Sequence, residues 1–256
     1  MRVPRLHVDI GTDPAEALAP GATLTLAEDR AHYLSRVLRR GRGDALWVFD
    51  GRGTRIDATV AEVRKRDVLL QLGTEVVRTP APAHPVTLAM ALLKGDAFDD
   101  VLRRATELGV DAILPLLAEH GEGKLPDDPQ RAARRQEQWR SITVSACEQC
   151  GRDWVPSVRP ARTALAWLGT VANDASALTL LLEPGASQRM ADLVGRVDGP
   201  VTLAIGPEGG WSRHERQLAL DHGVTEIALG TPVLRAETAP VAALAMLSLL
   251  RQLRLP

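Results

Sequence analysis

The chain has 256 residues, of which 45% are hydrophobic and 3% aromatic, and its formal net charge at pH 7 is −1. This length allows one large domain or two small ones and a substantial core, filled mainly by aliphatic side chains and alanine. A net charge near zero excludes nonspecific nucleic-acid binding by bulk charge, so any contact with phosphates has to come from a local basic patch.

The N-terminus, MRVPRLHVDIG, lacks the apolar region of a secretory signal. The longest apolar segment, residues 241–250, is too short to cross a bilayer. The sequence therefore predicts a soluble cytoplasmic protein with no membrane contact.

The first part of the chain, to about residue 72, is predicted to be mostly β. Short segments such as ALWVFDG, GTRIDATVAEV and DVLLQL are separated by turns rich in Gly, Asp and charge, a pattern typical of a small antiparallel barrel or sandwich. One helix interrupts these strands in AEDRAHYLSRVLRR, and Gly41 is placed to end it. Its predicted apolar face consists of Ala31, Leu34, Val37 and Leu38.

This helix and the turn after it form the most basic local patch of the sequence. Residues 28–43 hold Arg30, Arg36, Arg39, Arg40 and Arg42 against two acids. Arginine forks match phosphate oxygens, so the patch is a candidate for RNA contacts. The alternative is an ordinary solvated helix face. The predicted RNA-binding residues are Arg2, Arg5, Arg36, Arg39 and Arg40.

Residues 78–85, RTPAPAHP, alternate proline with small residues and predict a stiff, extended connection. Beyond it, the apolar runs VTLAMALL, AILPLL, LTLLLE, VTLAIG and EIALG alternate with helical stretches, which is typical of a parallel sheet with helices on both faces. One of these helices begins at the cap candidate Asp96 and ends before Gly109. We assign residues 1–75 to an N-terminal domain, 76–85 to a linker and 86–256 to an α/β domain.

The two cysteines, Cys147 and Cys150, form a C-x-x-C motif. A redox pair or half of a zinc site is one interpretation. Zinc needs four ligands, however, and the sequence has no second cysteine pair. His120 alone would not complete the four ligands. We favour two reduced thiols packed near the end of a helix, and no metal.

Three unusual loops follow apolar runs in the C-terminal half, at residues 182–185, 206–210 and 229–235. The middle loop lies in VTLAIGPEGGWSRHE, where Ser212 and Glu215 have the spacing of a capping box that starts a helix. In open α/β sheets, ligands bind at the carboxyl ends of strands, and glycines there allow close backbone approach. A tight connection is the alternative. Neither G-x-G-x-x-G after the opening strand nor G-x-x-x-x-G-K-[ST] is present, so a Rossmann or P-loop site is not predicted.

Four segments carry a family resemblance: KGDAFDDVLRRATELGVDAILPL, WRSITVSACEQCGRDWVP, IGPEGGWSRHE and ALGTPVLRAETAPVAALAMLSLLRQL. With MRVPRLHV and HYLSRVLRRGRGD, they resemble the SPOUT methyltransferases, specifically the 16S rRNA uridine N3-methyltransferase family, over essentially the full chain. The resemblance implies a PUA-like N-terminal β-barrel and a C-terminal SPOUT α/β domain with a trefoil knot. It also implies S-adenosylmethionine as cofactor, a homodimer, and methylation of N3 of one uridine in the decoding region of 16S rRNA in the 30S subunit.

The resemblance also assigns roles to individual residues. The implied cofactor-binding residues are Leu182, Glu183, Ile205, Gly206, Pro207, Glu208, Gly209, Gly210, Leu229, Gly230, Val233 and Leu234. The leading catalytic candidates are Arg235, which could bind a phosphate or polarise a uracil carbonyl, and Glu237, whose position near a helix start is equally explained by the helix dipole.

Two departures from the family pattern concern RNA contacts. His120 stands where many relatives have Arg, and Thr231 and Pro232 stand where Pro-Arg is common. His120 implies a weaker or pH-dependent contact with RNA. Thr231 and Pro232 imply that there is one basic group fewer near the substrate. Two alternative functions stay open: a SPOUT enzyme acting on a ribose 2′-hydroxyl or a tRNA base, and an RNA-binding module that has lost catalysis.

Overall fold

The computed structural model describes residues 3–9, 18–171 and 177–253. The chain forms two compact units, one of Met1–Ala81 with Cys147–Val155 and one of Pro82–Ala146 with Pro156–Pro256. We call them unit 1 and unit 2. Within the described ranges, no helix combines the length and apolar character needed to span a membrane.

Unit 1 is built on a five-stranded curled sheet with the order β1-β3-β4-β5-β2. The strands are β1 Arg5–His7, β2 Thr23–Leu26, β3 Ala45–Phe49, β4 Thr54–Val63 and β5 Val68–Arg78. The predicted antiparallel pairing is present between β2 and β5, β3 and β4, and β4 and β5, whereas β1 at the edge pairs with β3 in parallel. β5 continues to Arg78, which pairs with Thr54, so the first residues of the predicted linker belong to a strand. An aliphatic core of Leu, Val, Ile and Ala side chains fills the curled sheet.

The helix of unit 1 begins as predicted but changes geometry in its second half. Helix α1 covers Glu28–His32 and a π-helical turn, Tyr33–Val37, continues it. Ala31 and Leu34 are buried as predicted, whereas Val37 is 59% exposed, because the wider turn rotates it away from the core. The chain then turns at Arg39, which has a φ of 53°, and not at Gly41 as predicted.

The segment Cys147–Val155 belongs to unit 1, although the sequence places it within the predicted C-terminal domain. Its anchor is the buried carboxylate of Asp153, which accepts hydrogen bonds from Arg5 Nη2 at 2.5 Å, Arg55 Nη1 at 2.5 Å and Thr79 Oγ1 at 2.7 Å. These partners lie 74 to 148 residues away in sequence, which is why local patterns do not reveal the association.

Unit 2 contains a parallel sheet with the strand order β12-β10-β11-β6-β7-β8, and β9 also pairs with β7. The strands are β6 Val86–Ala91, β7 Ala112–Leu117, β8 Ser157–Val158, β9 Arg162–Thr163, β10 Leu178–Leu182, β11 Val201–Ile205 and β12 Thr225–Ile227. The predicted α/β class with a parallel sheet flanked by helices is confirmed. The threading of the chain through a trefoil knot stays a prediction of the resemblance.

Helices cover the sheet of unit 2. They are α2 Ala97–Glu107, α3 Pro129–Cys150, which ends in unit 1, α4 Ala164–Leu168, α5 Arg213–Asp221 and α6 Ala239–Gln252. As predicted, α2 starts after Asp96, and Gly109 beyond its end has a φ of 92°. Two hydrophobic clusters lie against the sheet, one including α2 and α6 residues and the other including α4 and α5 residues. At the end of α6, Arg251 donates to the carbonyls of Val197, Gly199 and His84, and burial of this guanidinium lowers its pKa.

Candidate functional site

The candidate site lies where three neighbouring parallel strands end in register. Leu182 of β10 pairs with Ile205 of β11 and with Ile227 of β12, so the last residues of the three strands form one row. All three are buried, at 8%, 2% and 0% exposed. Because the strands are parallel, the three loops predicted from the sequence leave the sheet along the same edge.

A cavity of about 560 Å³ opens above this row. This volume falls within the range of about 300 to 1,000 Å³ that is usual for small-molecule sites. Its wall includes eleven of the twelve residues predicted for the cofactor: Leu182, Glu183, Ile205, Gly206, Pro207, Glu208, Gly210, Leu229, Gly230, Val233 and Leu234. Arg235 and Glu237 also line it. The structure therefore brings residues of all three predicted loops and both catalytic candidates to one site.

Residues 206–210, the glycine loop, are braced on two sides. The Trp211 indole, which is 6% exposed, lies against Gly206, where a Cβ atom would come within 3.2 Å of Nε1. Gly209 lies against His120, where a Cβ atom would come within 3.0 Å of the His120 Cβ and 3.1 Å of its carbonyl oxygen. Gly209 is the predicted cofactor residue that is absent from the cavity wall, because it faces His120 instead.

The predicted capping box after the glycine loop is present. Ser212 Oγ accepts from the Glu215 backbone N–H at 3.0 Å, and Glu215 Oε2 accepts from the Ser212 N–H at 2.8 Å. These bonds start α5 immediately after the glycine loop and fix the direction in which the chain leaves it.

Residues 229–235, the open loop, form the opposite wall and are largely exposed. Val233 is 76% exposed, and the Arg235 side chain is 86% exposed. Arg235 Nη1 lies 3.9 Å from Glu237 Oε1, while the Arg235 carbonyl accepts from the N–H groups of Thr238 and Ala239 at the start of α6. The main chain of Arg235 is thus tied to a helix, and its guanidinium projects at the cavity edge.

The charges around the cavity are mainly negative. Three carboxylates line it, from Glu183, Glu208 and Glu237, against the single guanidinium of Arg235. The Glu183 carboxylate lies near the first turn of α5, where its Oε2 is 3.8 Å from Nε of Arg216. This balance favours a ligand that carries positive charge over one that is purely anionic.

Several wall residues were not among those predicted to bind the cofactor: Pro184, Trp211, Ile227, Pro232, Ala236 and Ala239. Pro184 and Pro232 lie inside predicted loops, and Trp211 directly follows one. Ile227 is identified only by strand register, since nothing local distinguishes it from other core residues.

Two of the N-terminal arginines, Arg5 and Arg30, are paired with carboxylates inside unit 1. Arg5 is 9% exposed, and its guanidinium binds Asp153 and the Arg152 carbonyl and stacks on Phe49. The prediction that Arg5 contacts RNA phosphates is therefore corrected, because this charge is already neutralised in the core. Arg30 likewise binds Glu148 and the His7 carbonyl. Arg2 lies outside the described residues.

The rest of the patch stays on the surface of unit 1. Arg36, Arg39 and Arg42 are exposed and Arg40 is partly buried. The positive φ of Arg39 places it at the sharp turn after the π-helical segment. The surviving candidates for phosphate contact are thus clustered within a few residues of one turn.

Cys147 and Cys150 lie in the last turn of α3 and are not joined in a disulfide. Cys147 is buried, and its hydrogen bond with Cys150 together with burial raises the pKa of its thiol. A raised pKa disfavours the reactive thiolate, in keeping with the packing interpretation. Among the described residues there is no cluster of three or more His, Cys, Asp or Glu side chains suited to a metal ion.

Comparison with known proteins gives consistent matches over both units. The sequence model of the RNA methyltransferase domain matches residues 79–248, and that of the RNA methyltransferase PUA domain matches residues 26–73. Ribosomal RNA small subunit methyltransferase E of Synechocystis is 36% identical over 236 residues, which cover 90% of this chain and 74% of the relative.

Two solved structures resemble this chain along nearly its whole length. A Legionella pneumophila methyltransferase in complex with the cofactor SAM has a TM-score of 0.86 at 31% identity, covering 97% of this chain and 98% of the other. Ribosomal RNA small subunit methyltransferase E of Neisseria gonorrhoeae, bound to S-adenosyl methionine, has a TM-score of 0.85 at 30% identity, with the same coverage.

Proposed function

The chain belongs to the ribosomal RNA small subunit methyltransferase E family, and from this premise we propose that it methylates N3 of one uridine in the decoding region of 16S rRNA, with S-adenosylmethionine as cofactor. The observation that carries the proposal is the cavity at the ends of β10, β11 and β12, which combines an apolar row with three carboxylates.

The cavity suits this cofactor by size and charge. S-adenosylmethionine carries a sulfonium, and the carboxylates of Glu183, Glu208 and Glu237 favour a positive centre among them. The adenine ring is apolar on both faces and matches Leu182, Ile205 and Ile227, while carboxylates can accept hydrogen bonds from ribose hydroxyls. When bound, the cofactor supplies the methyl group.

The protein's task in the reaction is to align N3 of uracil and to make loss of its proton easier. N3 lies on the Watson–Crick edge, so the base has to be unpaired or extruded. If the imide pKa lies ~2 units above neutrality, removing the proton costs about 2.7 kcal/mol, which one or two well-placed hydrogen bonds can supply. Because this cost is small, the proton can pass to solvent water, and no strong protein base is required. Alignment of N3 with the methyl group can contribute roughly 7 to 11 kcal/mol.

Arg235 is the proposed catalytic residue, because its exposed guanidinium stands at the cavity edge. It donates to a uracil carbonyl and so stabilises the negative charge that develops as the N3 proton leaves. Glu237, 3.9 Å from Arg235, is proposed to orient that guanidinium and to contribute its charge to the site.

The surface arginines Arg36, Arg39 and Arg40 of unit 1 are proposed to contact rRNA phosphates, since they cluster at one turn. The natural substrate is proposed to be the 30S subunit, the working form a homodimer and the compartment the cytoplasm. Salt titration of binding to 30S subunits should show a steep decline in affinity, and replacing one of these arginines should reduce the slope by about one.

The direct test is incubation of the chain with unmethylated 30S subunits and labelled S-adenosylmethionine, followed by mass mapping of the rRNA. Label at N3 of one uridine supports the proposal. Label on a ribose 2′-hydroxyl or only on tRNA would instead favour another RNA target. Cofactor binding without methyl transfer to any RNA would contradict the proposal that the chain is an enzyme. It would favour an RNA-binding module instead.

A further inference from the structure

Glu215 is a charged side chain that is 0% exposed, and it has more partners than a helix cap requires. Oε2 accepts from the Ser212 N–H at 2.8 Å, which is the usual capping-box bond. Oε1 accepts from the backbone N–H of Glu119 at 2.9 Å, although Glu119 lies 96 residues earlier in the chain. One buried carboxylate therefore connects the start of α5 to the turn after β7.

That turn, residues 118–121, lies directly behind the glycine loop, and we call it the brace turn. It closes with a hydrogen bond from the Gly121 N–H to the Ala118 carbonyl at 3.0 Å. His120 Nδ1 lies 3.3 Å from the Gly209 carbonyl oxygen, and the His120 backbone occupies the space where a Gly209 side chain would stand. Glu119 Oε1 lies 3.6 Å from His214 Nδ1 on α5.

We propose that Glu215 is a positioning residue for methyl transfer, because it ties the brace turn to α5 and so holds the glycine loop in the shape that lines the cofactor cavity. Glu215 is not part of the cavity wall and acts only through the loop. This inference rests on the proposed function and adds to it a residue that sets the shape of the cofactor site.

The carboxylate of Glu215 is suited to this task, whereas the amide of a glutamine at the same position is not. Two N–H donors point at Glu215, one at each oxygen. A glutamine side chain offers one acceptor oxygen and one NH₂ group, so one of the two backbone donors would face another donor. The negative charge is also favoured at the N-terminus of a helix, which offsets part of the cost of burying it.

Calorimetric titration with S-adenosylmethionine tests the inference in Glu215→Gln, which keeps the size of the side chain. We expect the cofactor Kd to rise about tenfold, or about 1.4 kcal/mol. Amide hydrogen exchange at Glu119 should accelerate in the same variant without cofactor, because this N–H loses its acceptor.

Thr163→Ala is the matched control. It removes the bond from the Ala166 N–H to Thr163 Oγ1 at 3.2 Å, another helix cap of unit 2. This variant should lose stability through its cap but keep the wild-type cofactor Kd, whereas a purely structural role of Glu215 would make the two variants alike.

His120→Ala keeps the inference testable if Glu215→Gln does not fold, since His120 is exposed and its substitution removes the contact of the imidazole with the Gly209 carbonyl. We expect a rise in Kd of about threefold. A folded Glu215→Gln with wild-type Kd, or an unchanged Kd in His120→Ala when the first variant is unfolded, would overturn the inference. Absence of cofactor binding in the wild-type chain would instead refute the proposed function, and the inference with it.

Discussion

The two walls of the cavity are built in opposite ways. The glycine loop is packed from behind, by Trp211 against Gly206 and by His120 against Gly209. The open loop carries exposed side chains, including Val233 at 76% and Arg235 at 86%. Both loops follow parallel strands that end at the same edge of the sheet, so the difference comes from what lies behind them.

The difference indicates a division of labour. A wall that is fixed before the ligand arrives lowers the ordering cost of binding, because its backbone groups already have their final positions. An exposed wall can adapt to a second substrate as large as an RNA. We therefore expect substitutions in the braced wall to affect folding and cofactor binding, and substitutions in the open wall to affect catalysis.

The largest effect is expected where the segment after the brace turn meets the sheet. A Cβ atom on Gly123 would lie 2.3 Å from the Leu92 carbonyl oxygen, so backbone has to move in Gly123→Ala. We expect the free energy of unfolding to fall by about 3 kcal/mol, the upper end of the usual overpacking cost. Urea denaturation measures this.

Gly169→Ala is the control for that experiment, since its Cβ atom would meet the Leu165 carbonyl oxygen at an ordinary 3.5 Å. Equal stability of the two variants would show that the chain at Gly123 is not held tightly against the Leu92 carbonyl.

Substitution of the exposed arginine of the open wall should affect catalysis and leave stability unchanged. In Arg235→Ala we expect kcat for methylation of 30S subunits to fall about 100-fold, the lower end of the effect of losing one charge-stabilising donor. The melting temperature should stay unchanged because the side chain is 86% exposed. Steady-state kinetics with Arg104→Ala, a half-exposed arginine of α2, as control will measure this.

A different outcome for Arg235→Ala would change its assigned role. Wild-type kcat with weaker RNA binding and a lower salt slope would make Arg235 a phosphate ligand, as the sequence also allowed.

A matched glycine pair compares the two walls directly. Gly209→Ala places a Cβ atom 3.0 Å from His120 Cβ, whereas Gly230→Ala in the open loop meets only Pro232 at 4.0 Å. We expect Gly209→Ala to lose about 1 to 2 kcal/mol of stability and Gly230→Ala to lose almost none. Thermal denaturation without cofactor measures both, and equal losses would remove the distinction between the walls.

The smallest effect is a pH dependence at the brace turn. Hydrogen bonding by Ser212, assisted by the charge of His214, holds the pKa of Glu119 below its ordinary value of 4.5. Because the folded pKa is the lower one, the carboxylate stabilises the fold above pH 4.5, and this contribution is lost as the pH falls through the folded value.

Melting temperatures of the wild type and Glu119→Gln should therefore differ slightly at pH 6 and converge near pH 3, since only the wild type loses a charge. A difference that persists unchanged at low pH would mean that the charge of Glu119 does not contribute to the brace turn.

Local patterns were sufficient for the elements that form the cavity edge. The apolar run before Gly206 and the spacing of Ser212 and Glu215 predicted a strand, a loop and a capped helix, and all three are present. These features depend on residues a few positions apart, so a single sequence reveals them.

Contacts between distant segments could not be predicted in the same way. The pairing of Arg5 with Asp153 spans 148 residues, and the bond from Glu119 to Glu215 spans 96. Arg5 was therefore assigned to the RNA surface although it is buried, and Gly209 was assigned to the cofactor although it faces His120. In both cases the residue type did not reveal its partner, which is distant in sequence: Asp153 for Arg5 and His120 for Gly209.

A crystal structure of the chain with S-adenosylmethionine tests the central claim most directly. We predict that the cofactor lies above Leu182, Ile205 and Ile227, between a glycine loop that keeps its present shape and an open loop that closes on it. Cofactor bound elsewhere, or a glycine loop rebuilt on binding, would contradict the account.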